Sequence, residues 1–143
     1  MKTLLSILVL AGCALTAQAQ STAPADDSVY QAFGGEPGLT KLMDDFVNRL
    51  KVDPRIGSFF KDANVPNLKA QLTAQLCVVS GGPCKYSGAD MKSAHADMGI
   101  DKSNFNALVE VLQVSMDAQG IPFRAQNQML ARLAPMHRDI IEK

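Results

Sequence analysis

The chain has 143 residues, 47% of them hydrophobic and 20% charged, a composition ordinary for one globular domain. Lys plus Arg and Asp plus Glu balance at 14 each, so the net charge is zero and no phosphate-binding surface is indicated. With no Trp and no aromatic-and-basic platform for stacking bases, nucleic acid drops out as a partner.

At the N-terminus, Lys2 precedes LLSILVLAG, an apolar run too short to span a bilayer but suited to a signal peptide. Two processing sites compete. Ala17-Gln18-Ala19 fits small-x-small cleavage, giving a signal over 1–19. Leu10-Ala11-Gly12-Cys13 looks like a bacterial lipobox, giving a signal over 1–12 and lipidation of Cys13, and is preferred. Residues 13–28, rich in Ala, Ser, Pro and Asp, then form a flexible tether before a domain over 29–143. Both sites predict export, to the periplasm or to a membrane face turned toward it. Membrane contact is expected only through a lipid anchor. Export leaves Cys77 and Cys84 in an oxidising compartment, flanking the turn-rich VVSGGP. They are either a disulfide or two buried thiols, since Cα separation cannot be read from sequence. A zinc site is disfavoured because the spacing lacks a short C-x-x-C grip.

Beyond the tether the pattern is helical, punctuated by Gly and Pro, with no sustained alternation. A short helix near Val29–Phe33 meets Gly34-Gly35. A helix over 38–51 has Leu39, Leu42, Met43, Phe46, Val47 and Leu50 on one face. Pro54 ends it and opens a turn bearing Phe59-Phe60; Pro66 suits the first turn of the next helix, whose stripe is Leu68, Leu72, Leu76 and Val79. After Gly81-Gly82-Pro83, residues 88–97 form a short helix candidate with Asp90 near its start. Asp101 can cap a longer helix with Phe105, Leu108, Leu112 and Met116 inward and Gly120 at its end. The last helix starts at Pro122 and carries Met129, Leu130, Leu133 and Ile140; Pro135 inside it should bend it or free a carbonyl. The fold class is all-α.

One residue asks for an explanation. His95, one of two histidines, has Met91, Ala94 and Met98 three or four residues away or adjacent on its helix, and no Asp, Cys or Ser partner that would make it a general base. A neutral imidazole among Phe, Leu and Met suits an axial bond to haem iron, with core packing as the plain alternative for the Met and Phe residues. The run CKYSGADMKSAHADMGI, with Phe59-Phe60 upstream and both Gly-Gly pairs, resembles the group I truncated haemoglobins over about residues 29–141. These are short globins with a two-over-two helical sandwich around haem.

The resemblance implies haem b as cofactor, His95 as its proximal iron ligand and Phe60 wedged against its face. Leu68 and Leu72 would face the iron from the distal helix, and Val47 would look into the distal pocket from the second helix. Phe46, Leu76, Tyr86, Met91, Met98, Ile100, Phe105 and Leu112 would wall the pocket. His95 should pass its other N–H to a backbone carbonyl, that of Met91 one turn earlier. Group I members usually have Tyr where Val47 stands and often Gln on the distal helix, so the distal pocket is expected to be apolar. Gln71 and Gln75 fall one position off the predicted inward stripe. The expected activity is reversible binding of O2, or of NO or CO, with fast O2 release and an unidentified reductant for the iron. NO consumption or peroxide reduction by the same haem is the enzymatic alternative, and a haem-free envelope lipoprotein the third. His137 reads as a solvated residue near the end of the last helix. Lys69, Lys85 and Lys92 could meet haem propionates but default to surface charge.

Overall fold

Two glycines with left-handed backbones set the first turn of the chain. In the computed structural model, which describes residues 26–143, α1 (Ser28–Ala32) runs into Phe33, and the chain reverses through Gly34 and Gly35 at φ +79° and +66°. An L side chain is strained at such angles, so glycine is the residue that permits the turn. The expected signal segment, Cys13 and most of the tether lie outside the described residues. Helix α2 (Gly35–Val52) starts three residues before the expected position 38. The reason is local: Pro37 needs no N–H partner in a first turn, and the Glu36 N–H donates to the Tyr30 hydroxyl at 3.0 Å.

A 3-10 turn (Gly57–Phe60) carries the Phe59-Phe60 pair to α3 (Val65–Val79). The Asn64 side chain caps α3 by accepting from the Asn67 N–H, with Pro66 in the first turn. Its other end closes as a Schellman motif: the Gly82 N–H reaches Cys77 O at 2.8 Å and the Gly81 N–H reaches Val78 O at 3.1 Å. Gly81 sits at φ +89°, and a Cβ there would lie 2.3 Å from Asp26 O, so the N-terminal segment passes over a glycine with no room for more. Cys77 and Cys84 are disulfide-bonded across this turn, with Cα atoms 5.8 Å apart. The two thiols left open by the sequence are one bridge in the fold.

Helix α4 (Met91–His95) is shorter than the expected 88–97. Asp90 occupies the cap and so fixes where the helix begins, with its carboxylate accepting the Ser93 N–H at 2.9 Å. The left-handed Asp97 (φ +61°) and Gly99 (φ +65°) turn the chain away just after His95. Helix α5 (Lys102–Ala118) opens with a capping box, in which Asp101 and Asn104 each bond the other's backbone N–H, and closes in a second Schellman turn at Gly120. The expected last helix is three pieces: α6 (Phe123–Leu133), a 3-10 turn (Ala134–Met136) and α7 (His137–Ile140). Pro135 has no N–H to give and crowds the preceding turn, which breaks the helix rather than bending it.

Helix α2 packs along α3 and across α5, while α6 contacts α5, α3 and α1. The α2–α3 and α5–α6 pairs form the two layers, and α4 rests on α7. Leu39, Leu42 and Val47 of α2 join Met116 of α5 and Met129 of α6 in a core sealed from solvent. No strand occurs among the described residues, and no helix there is long and apolar enough to cross a membrane.

Candidate functional site

Between the two layers lies a cavity of about 540 Å³, within the range of small-molecule and cofactor sites. The five-residue α4 holds His95, half-buried, against this space. Its Nδ1 lies 2.7 Å from Met91 O. A carbonyl oxygen only accepts, so Nδ1 carries the proton and Nε2 of the neutral ring keeps its lone pair free. That hydrogen bond also fixes the ring orientation. Asp90 anchors the same turn, and the Ser93 N–H and hydroxyl hold its carboxyl below the ordinary range.

Most residues singled out in the sequence converge on this cavity. Phe46 reaches it from α2 and Phe60 from the 3-10 turn, while Leu68, Leu72 and Leu76 approach from α3. Tyr86 lines it from the loop after α3, its hydroxyl donating to Ala89 O at 2.7 Å. Met91 and Met98 flank His95 in sequence, and Ile100, Phe105 and Leu112 complete the lining.

Val47 does not line it. The side chain is fully buried, but in the core, while Met43, Phe46 and Leu50 face the cavity. At 100° per residue Val47 points about 65° around the axis from the centre of those three. The buried arc of α2 is too wide for one surface, so the core takes one part and the cavity the other.

The expected apolar stripe of α3 is corrected as well. Asn64, Asn67, Gln71 and Gln75 line the cavity beside the leucines, which places its inward centre about 50° from that of Leu68, Leu72, Leu76 and Val79. Gln71 and Gln75 are therefore inside, contrary to the sequence expectation. The Gln75 amide donates to Met91 Sδ at 3.2 Å and Met136 Sδ at 3.7 Å, both weak acceptors. The Gln71 carboxamide oxygen lies over Gly88, where a Cβ would come within 2.7 Å of it. The distal stripe is mixed rather than purely apolar, yet Leu68, Leu72, Phe46 and Met43 bring no donor to the space they face. Sequence periodicity carried the missing signal, because 64, 67, 71 and 75 repeat at helical spacing; the leucines drew the stripe toward themselves.

Helix breakage at Pro135 had no counterpart in the expected site. It brings Leu133, Met136 and Ile140 to the cavity from three successive short elements. His137 instead is exposed, its Nδ1 2.8 Å from Ala134 O and its ring edge-on to Phe105 at 6.4 Å. Lys69 bonds Asp44 at 2.5 Å and Asn48 at 3.3 Å, away from the cavity, and Lys85 and Lys92 are exposed.

This chemistry can be tested against a haem. Among the described residues no three His, Cys, Asp or Glu side chains gather as a metal site. His95 is then a single donor, and a single donor holds a metal firmly only when the other ligands arrive with a macrocycle. A slot walled by Phe46, Leu72, Phe105 and Leu112, with one imidazole lone pair free, fits such a flat apolar group. No Asp, Glu, Lys or Arg lines the cavity among the described residues, so a distal acid–base pair for peroxide cleavage is not offered there.

Comparison with known proteins agrees with this geometry. The bacterial-like globin family model matches residues 28–142. Group 1 truncated hemoglobin GlbN of Synechocystis sp. is 30% identical over 122 residues, covering 81% of this chain and 98% of its own. The group 1 truncated hemoglobin GlbN of Mycolicibacterium paratuberculosis is 29% identical over 113 residues, covering 79% and 83%. Among solved structures, the truncated hemoglobin of Tetrahymena pyriformis in its Fe(III) form superposes with a TM-score of 0.77 at 26% identity, covering 80% of this chain and 98% of that one.

Proposed function

Because this chain belongs to the bacterial-like globin family, and within it to the group I truncated haemoglobins, we propose that it holds haem b on His95 and reversibly binds O2 or another diatomic gas. Bound there, haem supplies an iron with one open position for a small ligand. The observation that carries the reading is the His95 Nδ1–Met91 O hydrogen bond at 2.7 Å, which presents Nε2 as the free ligand atom inside an apolar slot. Phe46, Phe60 and Phe105 exclude water and pack the macrocycle. Met43, Leu68 and Leu72 offer the gas no donor, and the Gln75 amide is turned to Met91 and Met136. Weak binding and fast release of O2 therefore hold only while Gln71 stays turned to Gly88. An O2 off-rate unchanged in Gln71→Ala is the expected outcome, and a faster one would make Gln71 the donor.

Export belongs to the same proposal. The segment before Cys13 reads as a signal, and the Cys77–Cys84 bridge supports an oxidising compartment outside the cytoplasm. Lipidation at Cys13 would tether the domain to a membrane surface; mass spectrometry of the mature N-terminus distinguishes it from cleavage after Ala19.

The visible spectrum tests the haem reading. The full chain mixed with hemin is expected to show a Soret band that is abolished in His95→Ala. A colourless chain that ignores hemin would sink the proposal. Mixing the oxygenated protein with NO and assaying nitrate separates gas carriage from NO consumption.

A further inference from the structure

The haem site raises a question of charge that the iron ligand does not answer. Haem brings two propionates, yet no Lys or Arg lines the cavity among the described residues. Lys69, the cation nearest in sequence to the distal leucines, is committed to Asp44 and Asn48. What lines the cavity instead is a set of carboxamides: Asn64, Asn67, Gln71 and Asn104, with Gln75 already turned to Met91 and Met136. Asn64 and Asn67 are exposed, so they mark its open edge.

The orientation of two of these amides is fixed by the helix caps. Asn64 Oδ1 accepts the Asn67 N–H at 3.1 Å, and Asn104 Oδ1 accepts the Asp101 N–H at 3.1 Å. A backbone N–H can bond only the oxygen end of the amide. Each cap therefore consumes the oxygen and leaves the NH2 group as the free end. A free NH2 end suits a carboxylate.

We propose that the carboxylate edge of the tetrapyrrole is received by these capped asparagines, with Asn67 and Gln71 beside them, as neutral donors rather than by cations. The proposal rests on the haem-binding reading above. It has a physical consequence that cationic clamps would not share. Ion pairs at an exposed mouth weaken as salt rises, whereas hydrogen bonds from neutral amides hardly change. Haem retention should be insensitive to ionic strength.

The test is the rate of hemin loss from the ferric full-length protein to an excess of a tighter-binding apoglobin, followed in the Soret region. Between about 20 mM and about 500 mM NaCl the rate is expected to stay within about twofold. Asn64→Asp and Asn104→Asp keep a capping oxygen in place but turn the donor into a carboxylate facing a carboxylate. Each is expected to speed loss by about tenfold, corresponding to one charge-assisted hydrogen bond, and added salt should now slow the loss. Unchanged far-UV circular dichroism excludes a folding defect as the cause. Lys85→Gln and Lys92→Gln should leave the rate alone. A wild-type rate that climbs tenfold with salt, or a rate indifferent to both Asn→Asp changes, overturns the proposal. A chain that takes up no hemin at all overturns the haem-binding reading instead.

Discussion

His95 owes its usefulness to a carbonyl. The Met91 oxygen settles which ring nitrogen is protonated, and α4 is just long enough to bring the two within 2.7 Å. Across the cavity, Leu72 offers no donor to a bound gas. Leu72→Gln is expected to slow O2 dissociation by about tenfold, the worth of one hydrogen bond near 1.4 kcal/mol, as read by stopped-flow. An unchanged off-rate would place the gas elsewhere in the cavity. The cap carboxylates give the site a pH limit. The Ser93 backbone N–H and hydroxyl depress Asp90, and the Asn104 backbone N–H and Ser103 hydroxyl depress Asp101. Folding thus favours their charged forms. The stabilisation is complete above the unfolded value of about 3.9 and is lost as pH falls through the lower folded value. Urea midpoints measured from pH 7 downward should drop below about pH 4, and Asp90→Asn should flatten part of that drop.

At the scale of elements, the chain spends its few special residues on terminating helices where the cavity needs walls. The Schellman turns at Gly81 and Gly120 end α3 and α5, and Pro135 ends α6. The loop between Gly82 and Asp90 has one covalent tie, the Cys77–Cys84 bridge, and contributes Tyr86, Gly88 and Ala89 to the cavity wall. Closing so short a loop stabilises by about 2.5 kcal/mol in the chain-entropy model. Cys77→Ser with Cys84→Ser, or a thiol reductant, should lower the urea-unfolding free energy by about that amount. An unchanged midpoint would mean that the loop holds itself. Gly81→Ala combines a left-handed backbone with a clash against Asp26 O, and should destabilise by about 2 kcal/mol or more. A neutral result would require the N-terminal segment to lift away.

For the whole molecule, the cavity is apolar volume that folding leaves unfilled between two helical layers. A ligand that binds the folded state alone stabilises it by mass action, by about 4 kcal/mol at a thousandfold excess over Kd. Hemin should therefore raise Tm by about 15 °C in a domain of this size, and far less in His95→Ala. Calorimetry showing equal shifts in both would detach the histidine from the site.

Much of this was legible along the chain. Helix caps, Gly and Pro punctuation and the spacing around His95 act within a turn or two, and local rules govern them; the caps at Asp90 and Asp101, the stop at Gly120 and the His95–Met91 pairing all follow from neighbours. The exact facing of α2 and α3 does not. Both helices carry apolar or amide residues over a wide arc, and a wide arc fits several rotations equally well until a partner is packed against it. Only the packing of α2 on α3 and α5 sent Val47 to the core and Gln71 and Gln75 to the cavity. The pairing of Cys77 with Cys84 was likewise settled in three dimensions, because a bridge needs a distance and a sequence carries none.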